Sequence, residues 1–300
     1  MSVAMLTVGG RRTRVHVSGN REDPPVLLLH GIGRSLEDWA PQFPRLDGYR
    51  LIAPDLPGSG FSERSPYPTT LAVLARGVID TLDELEELRP VHIIGNSLGG
   101  AVAQQILALD PDRVVGLVLV NSAGFGKEVT PFLRLLGAPV VGRFLATHQT
   151  SVTIATAEKA LFVDSSLATS ARLEHAAIIA AQPDTGTVVW ETVRSLATFR
   201  SGISADWQRT LNTRVAAERK PTLVVWGDRD RILPARHMKA AARVLPHART
   251  HMFTNVGHMP QIERPAEFAD IVLRFLATYP SSDSSNNVGS GGNSAGWQSA

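Results

Sequence analysis

The chain of 300 residues contains no cysteine. This absence excludes disulfide bonds, metal sites built from thiolates and a cysteine nucleophile. The sequence also has no apolar run that approaches the ~20 residues of a membrane-spanning helix. Residues 1–17 lack the continuous apolar segment of a signal peptide. We therefore expect a cytoplasmic protein with no membrane span.

An excess of charge of one sign is also missing. The chain has 30 Lys and Arg against 28 Asp and Glu, which gives a formal net charge of only +2. It contains no run of like charges and no basic stripe, and this argues against a nucleic-acid partner. Hydrophobic residues make up 43% of the chain and charged residues 19%, so the chain can bury a sizeable core.

Short apolar runs alternate with segments of helical spacing along most of the chain. Residues 5–8 and 12–17 form a predicted opening hairpin. The further predicted strands are residues 26–29, 49–53, 91–94, 114–120, 222–227 and 250–253. Continuous apolar runs are typical of strands buried on both faces of a sheet, and helices between strands make that sheet parallel. In such sheets the loops at the carboxyl ends of the strands form the active site.

The predicted helices fall into two groups. Helices 36–43, 71–85, 101–109, 234–244 and 266–276 alternate with the strands, whereas helices 131–146, 155–162, 170–181 and 187–199 follow one another. The sequence therefore predicts a core of residues 1–122 and 215–280 and a helical lid at residues 123–214. Residues 281–300 are mostly Ser, Gly and Asn, and we expect a disordered tail.

A Gly-Asn-Ser-Leu-Gly turn at residues 95–99 joins an apolar strand to a mostly apolar helix. Gly95 and Gly99 stand two residues before and after Ser97, where a Cβ would collide with the neighbouring segment of so tight a turn. The turn forces the serine into strained backbone and lifts its hydroxyl clear of the sheet. Taken alone, this pattern also fits an ordinary glycine-rich turn between a strand and a helix. Other motifs in the chain are needed to choose between the two interpretations.

Three further motifs, His30-Gly31, Trp226 to Asp230 and Gly257-His258, follow predicted strands. Together with the turn around Ser97 they resemble the α/β-hydrolase superfamily, in which the order Ser, Asp, His is expected. The resemblance covers nearly the whole core. It implies an α/β fold with a mostly parallel eight-stranded sheet, helices on both faces and a helical lid inserted between the sixth and seventh strands.

The chemistry follows from what each residue type can do. A serine hydroxyl needs a base beside it, and a histidine can accept that proton and return it to a leaving group. A carboxylate beside the imidazole fixes its tautomer. We assign Ser97 as nucleophile, His258 as general base and then acid, and Asp230 as the orienting carboxylate. The backbone N–H groups of Ile32 and Leu98 would hold the oxyanion.

Several neighbouring residues offer alternatives. Asp228 could replace Asp230, but Asp230 lies farther into the loop and matches the usual position in the family. Asn121 occupies the other known place for the acid and cannot serve as one. We expect His30 to hold its loop through hydrogen bonds and His92 to be a satisfied core residue.

The resemblance implies a serine hydrolase that acts through an acyl-serine intermediate and needs no cofactor. Its substrate would be a small or medium carboxylic ester, or a lactone, with an apolar acyl portion. Serine at the turn argues against haloalkane dehalogenases and epoxide hydrolases, which carry aspartate there. Cofactor-free haloperoxidases, and a ligand receptor on the same fold, stay open as alternatives. The sequence does not indicate an oligomeric state.

Carbon–carbon bond hydrolases of meta-cleavage products are another alternative. They share the Gly-Asn-Ser-x-Gly-Gly turn but usually carry Gly-Pro soon after the His-Gly pair and Trp after the catalytic histidine. Here Arg34 follows Gly33 and Met259 follows His258. In this alternative Arg194 or Arg200 would bind a carboxylate of the substrate.

Overall fold

The computed structural model describes residues 2–198 and 202–280. Its strands are β1 (Ser2–Val8), β2 (Arg11–Ser18), β3 (Pro25–Leu29), β4 (Arg50–Pro54), β5 (Val91–Asn96), β6 (Val114–Val120), β7 (Ala197–Thr198), β8 (Gly202–Ile203), β9 (Thr222–Gly227) and β10 (Arg249–Phe253). Its helices are α1 (Leu71–Glu84), α2 (Leu98–Leu109), α3 (Pro131–Leu136), α4 (Val141–Thr147), α5 (Ser151–Ala160), α6 (Ser170–Ala180), α7 (Thr185–Leu196), α8 (Ala205–Glu218), α9 (Arg236–Val244), α10 (Pro260–Glu263) and α11 (Pro265–Thr278).

Eight strands form one sheet in the order β1-β2-β4-β3-β5-β6-β9-β10. Strand β2 pairs antiparallel with β1 and β4, and the other neighbours in the sheet pair parallel. The predicted α/β fold with a mostly parallel eight-stranded sheet is therefore confirmed. The parallel arrangement brings the carboxyl ends of β3, β5, β6 and β9 to one edge, where the predicted site residues follow.

Helices cover both faces of the sheet, as predicted. Side chains alternate along each strand, so Leu27 and Leu29 of β3 pack under α1 and α2. Val26 and Leu28 of the same strand point to the other face and belong to the cluster that contains Phe268 of α11. Because both faces are buried there, the central strands β3, β5, β6 and β9 are mostly apolar, and these apolar runs predict the strands from the sequence.

Prolines shorten two predicted helices. The helix predicted at residues 36–43 is only a 3₁₀ turn at Leu36–Trp39, and Pro41 follows it. The helix predicted at residues 131–146 is split into α3 and α4, with Pro139 between them. A proline removes a backbone donor and disfavours helical backbone in the residue before it.

Helix α8 and the β7–β8 pair were not predicted. The inward positions of α8 are Gln208, Leu211 and Val215, and the polar glutamine hides the apolar stripe. This helix spans the predicted boundary at residue 214, and the division into core and lid stays a prediction. The predicted tail at 281–300 lies outside the described residues. In the described part of the chain, residues 2–198 and 202–280, no helix is both long and apolar enough to span a membrane.

Candidate active site

The turn around Ser97 has the geometry that its glycines suggested. Ser97 has φ 55° and ψ −115°, a strained conformation for a residue with a side chain. A Cβ on Gly95 would lie 2.4 Å from the carbonyl oxygen of Gly99. A Cβ on Gly99 would lie 2.2 Å from the carbonyl oxygen of Leu29. Only glycine fits at both positions, and β5 can therefore turn directly into α2.

The two residues predicted to hold an oxyanion lie on the segments that border Ser97. Leu98 is the first residue of α2, so its N–H has no acceptor within the helix. The loop after β3 approaches the turn at Gly31, where a Cβ would lie 3.4 Å from the Cβ of Ser97. Ile32 is the next residue of this loop and packs against the apolar clusters of both the core and the insertion.

Asp230, and not Asp228, contacts the imidazole of His258. The Nδ1 atom of His258 lies 2.8 Å from Oδ2 of Asp230. The other carboxylate oxygen, Oδ1, accepts from the N–H groups of Ile232 at 2.7 Å and Leu233 at 3.0 Å. Asp228 instead accepts from the N–H of Val256 at 3.2 Å. The Asp230 carboxylate is thereby held in one orientation with its Oδ2 atom toward His258.

Asn121 is a site residue that the sequence reasoning missed. Its Nδ2 atom donates to Oδ2 of Asp230 at 2.7 Å and to the carbonyl oxygen of Gly257 at 3.2 Å. Its φ of 44° is left-handed, a conformation in which asparagine is tolerated. From the sequence, this position after β6 is recognised only as the other known place for the acid. It binds the acid instead of replacing it.

A second asparagine joins the serine turn to the histidine loop. The Nδ2 atom of Asn96 donates to the carbonyl oxygen of His258 at 3.1 Å and to that of Val120 at 3.2 Å. Ser97 is 8% exposed and His258 is 3% exposed. The structure thus brings Ser97, Asp230 and His258 into one buried region at the carboxyl edge of the sheet.

The second half of the insertion, which we define as residues 151–180, contacts the histidine loop directly. The N–H of His258 donates to the carbonyl oxygen of Leu161 at 2.7 Å. Glu263 accepts from the N–H of Gly257 at 2.7 Å and from the N–H of Val163 at 3.0 Å. Burial raises the pKa of Glu263. The side chain of Glu263 therefore fixes the backbone of the insertion at Val163 and that of the histidine loop at Gly257.

Four charged side chains connect the same half to the loop after β3. Arg34 binds Asp38 at 2.7 Å and also binds Glu158 of α5. Arg172 of α6 binds Glu158 at 2.8 Å and Asp38 at 3.0 Å. Burial would raise the pKa of Asp38, but the two guanidinium groups hold it well below its usual range. We call these four residues the ion quartet.

The two histidines that were expected to be structural lie on the core strands or directly after them. His30 donates from Nδ1 to the carbonyl oxygen of Gly31 at 2.8 Å, and its Nε2 accepts from the N–H of Leu56 at 2.9 Å. Burial lowers its pKa. His92 donates from Nε2 to the carbonyl oxygen of Tyr279 at 2.7 Å, whereas its buried Nδ1 has no partner among the described residues. His30 holds its loop through hydrogen bonds as expected, whereas the expectation that His92 is satisfied is wrong for one of its two ring nitrogens.

The arginines considered for a substrate carboxylate are placed differently. Arg194 lies over the ring of Trp190, with its guanidinium carbon 5.2 Å from the ring centroid. Arg200 lies outside the described residues. In residues 2–198 and 202–280, no group of three or more His, Asp and Glu side chains is placed to hold a metal ion.

Comparison with known proteins identifies the family. Residues 24–265 match the family model of the alpha/beta hydrolase fold. The chain belongs to the α/β hydrolase family. Its members are generally hydrolytic enzymes, so the predicted hydrolase class is supported at this level.

Relatives of this α/β hydrolase carry several different names. A 2-hydroxymuconate semialdehyde hydrolase of Pseudomonas sp. strain CF600 is 30% identical over 91% of this chain and 93% of its own length. An uncharacterized protein of Mycobacterium tuberculosis is 30% identical over 91% of this chain and 80% of its own length. Lipase 1 of Psychrobacter immobilis is 28% identical over 90% of this chain and 82% of its own length.

Solved structures give the same fold. A meta-cleavage product hydrolase from Pseudomonas fluorescens IP01 is similar to this chain with a TM-score of 0.75 and 25% identity, over 92% of this chain and 97% of the other. An esterase from Thermogutta terrifontis is similar with a TM-score of 0.73 and 23% identity, over 93% and 99%. At the 23% identity of the esterase, the similarity shows the fold alone.

Proposed function

We propose that this protein is a serine hydrolase that cleaves carboxylic esters or lactones through an acyl-serine intermediate. The observation that carries the proposal is the 2.8 Å contact between His258 and Asp230 beside the strained turn at Ser97. A hydroxyl, an imidazole and a carboxylate in this order are what nucleophilic acyl transfer requires. The roles of the three residues rest on this geometry and on the motifs around them.

In the proposed first step, His258 removes the proton of the Ser97 hydroxyl while the oxygen attacks the carbonyl carbon of the ester. Asp230 keeps the proton of His258 on Nδ1, so that Nε2 is free to act as the base. The N–H groups of Leu98 and Ile32 would donate to the oxyanion that forms. The imidazolium then protonates the leaving alcohol, and the acyl group stays on Ser97.

In the second step a water molecule attacks the acyl-serine. His258 takes a proton from this water and returns it to the Ser97 oxygen as the tetrahedral intermediate collapses, which releases the acid and regenerates the Ser97 hydroxyl. Asn121 supports both steps because it holds Oδ2 of Asp230 at 2.7 Å. This chemistry uses only groups of the protein, and we propose that no cofactor takes part.

An apolar acyl group suits the surroundings of the serine. Ile32 belongs to the cluster that contains Leu136 of α3 and Val189 and Val193 of α7. These side chains lie above the loop that borders Ser97. An apolar lining with a few convergent polar groups is typical of small-molecule sites.

A second candidate function is hydrolysis of a carbon–carbon bond in meta-cleavage products. It is favoured by the 30% identity to the Pseudomonas hydrolase named above, which covers 93% of that protein. Against it, Met259 replaces the usual tryptophan and packs with Phe162 of the insertion. The guanidinium of Arg34, a residue of the loop that borders Ser97, is already paired with two carboxylates.

A panel of p-nitrophenyl esters of rising chain length, assayed beside a meta-cleavage dienone, tests the proposal. We expect turnover of the esters, with kcat/KM lowered about 10⁴-fold or more by Ser97→Ala. Far-ultraviolet circular dichroism serves as the control for folding of the variant. Comparable activity of a folded Ser97→Ala variant would rule out the nucleophile. Turnover of the dienone alone would select the second candidate.

A further inference from the structure

The first half of the insertion, which we define as residues 131–147, carries an unusual number of exposed apolar side chains. Val140 is 80% exposed, Phe144 is 59% exposed and Phe132 is 45% exposed. Val140 and Val141 stand four and three residues before Phe144, so the three side chains form one outward stripe along α4 and the residue that precedes it. The opposite side of α4 is buried, with Ala146 packed in the cluster that contains Val189.

The same stretch contains no acidic residue. From residue 129 to residue 157 there is no Asp and no Glu, whereas Arg134 and Arg143 lie on α3 and α4. An exposed apolar face on a segment that carries cations and no acid is complementary to a surface that is apolar and negatively charged. We call Phe132, Val140, Val141 and Phe144 the apolar stripe.

A basic pocket opens at the start of α3, beside the apolar stripe. It has a volume of about 400 Å³, and Pro131, the residue before Phe132, lines it. Its charged lining consists of Lys127, Arg134, Arg231, Arg236 and a single acid, Glu128. Glu128 is already paired with Arg236 at 3.0 Å and with His237 at 2.9 Å. Glu128 offsets Arg236, and Lys127 and Arg231 leave the pocket with an excess of positive charge, which suits an anionic group.

We propose that the apolar stripe and the basic pocket together dock the protein on the surface of an anionic lipid bilayer. The apolar side chains would lie at the level of the acyl boundary, and the pocket would take a phosphate-bearing headgroup. Binding to such a surface is set by buried apolar area together with attraction between cations and anionic lipids. The protein would lie on the bilayer and not cross it.

A second copy of this chain fits the surface less well. A two-fold interface places the same patch on both partners, so the cations of one copy would face those of the other. Residues 129–157 offer no carboxylate to pair with them. An anionic lipid surface supplies the missing charge and also covers the apolar stripe.

Co-sedimentation with vesicles tests this inference without any use of enzymatic activity. We expect the wild type to bind vesicles of phosphatidylglycerol and phosphatidylcholine about 10-fold more strongly than vesicles of phosphatidylcholine alone at low salt. The double variant Phe132→Ser/Phe144→Ser should lose about 10-fold in binding to the anionic vesicles. Lys127→Gln/Arg231→Gln should lower binding to the anionic vesicles and leave the weak binding to neutral vesicles unchanged.

The matched control is Tyr67→Ser/Leu88→Ser, which removes two apolar side chains, each 68% exposed, from other parts of the surface. It should bind anionic vesicles as the wild type does. Wild-type protein that stays in the supernatant, or equal loss in the control and the stripe variant, would overturn the proposal. A dimer in analytical ultracentrifugation that Phe132→Ser/Phe144→Ser dissociates, without vesicle binding, would identify a second copy as the occupant instead.

Discussion

The two halves of the insertion are held to the core by different means. The first half packs through Leu136 and Ala146 onto Val189 and Val193 of α7, and it leaves its apolar stripe exposed. The second half is fixed by the ion quartet, by Glu263 and by the bond from the N–H of His258 to Leu161. The first half thus packs on α7 mainly through apolar side chains, with Arg143 stacked on Trp190, whereas the second half is hydrogen-bonded and ion-paired to the loops that form the site.

This difference changes the expected role of the helical lid. Ser97 is only 8% exposed, and we expect a covering segment to move before an ester reaches it. Movement of the second half would break buried ion pairs and shift the backbone of His258. We therefore expect the first half to open and the second half to remain in place as a wall of the site.

The largest expected effect comes from removal of Arg34. In Arg34→Ala, Asp38 and Glu158 keep only Arg172 as a partner, which leaves one buried negative charge uncompensated. Loss of one member of a buried ion pair costs about 3–5 kcal/mol, and we expect the free energy of unfolding to fall by that amount. Urea denaturation measures the change.

The control for this variant lies in the first half. Arg143 is exposed and stacks on Trp190, with its guanidinium carbon 5.6 Å from the ring centroid. Arg143→Ala should change the free energy of unfolding by no more than about 1 kcal/mol. Equal losses in the two variants would contradict the distinction between the halves.

Acid should weaken the core before it releases the second half. Burial lowers the pKa of His92 from 6.5 to about 4. Below pH 6.5 the unfolded chain therefore binds a proton that the native chain does not, and the free energy of unfolding decreases as the pH decreases. We expect His92 to account for a loss of about 2 kcal/mol between about pH 7 and pH 5.

The ion quartet should survive over the same range. The two guanidinium groups hold the pKa of Asp38 well below its usual value of 3.8, so the stability that Asp38 contributes is present above pH 3.8 and is lost only below it. Urea denaturation at several pH values measures the loss of stability through His92, and His92→Gln should flatten the dependence of stability on pH. Hydrogen exchange of residues 151–180 measures whether the ion quartet stays intact. Faster exchange there at about pH 5 than at pH 7 in the His92→Gln variant, after correction for the intrinsic rate, would contradict it.

The smallest effect is expected for Glu263→Gln. Its two carboxylate oxygens each accept a backbone N–H, and an amide offers only one acceptor, so Gly257 or Val163 loses its partner. We expect kcat for an ester to fall about 10-fold through a shift of His258, with KM nearly unchanged. Glu267→Gln, on the exposed side of α11, is the matched control. An equal change in both variants, or a change in KM alone, would argue against a positioning role.

Local pattern accounts for what the sequence predicted correctly. The sheet followed from continuous apolar runs, and the turn at Ser97 followed from two glycines whose spacing the backbone contacts explain. The pairing of His258 with Asp230 was expected from motif order and not from any periodicity. Pro139 shows the limit of periodic reasoning, because the apolar spacing runs through it while the helix does not.

Contacts between distant residues account for what was missed. Arg34 meets Glu158 across 124 positions, Asn121 meets Asp230 across 109 and Val163 meets Glu263 across 100. No local pattern records such pairs, and single charged residues at these places look like ordinary surface positions. The position of Asn121 at a strand end is recognisable from the sequence as a place for the acid, but its hydrogen bond to Asp230 is not.

Labelling with a fluorophosphonate, followed by peptide mass spectrometry, tests the central claim that Ser97 is an activated nucleophile. The account predicts a single adduct on Ser97 in the wild type, no adduct in Ser97→Ala and much slower labelling in His258→Gln. A folded wild-type protein that takes no label, or that takes it on another serine, would contradict the account.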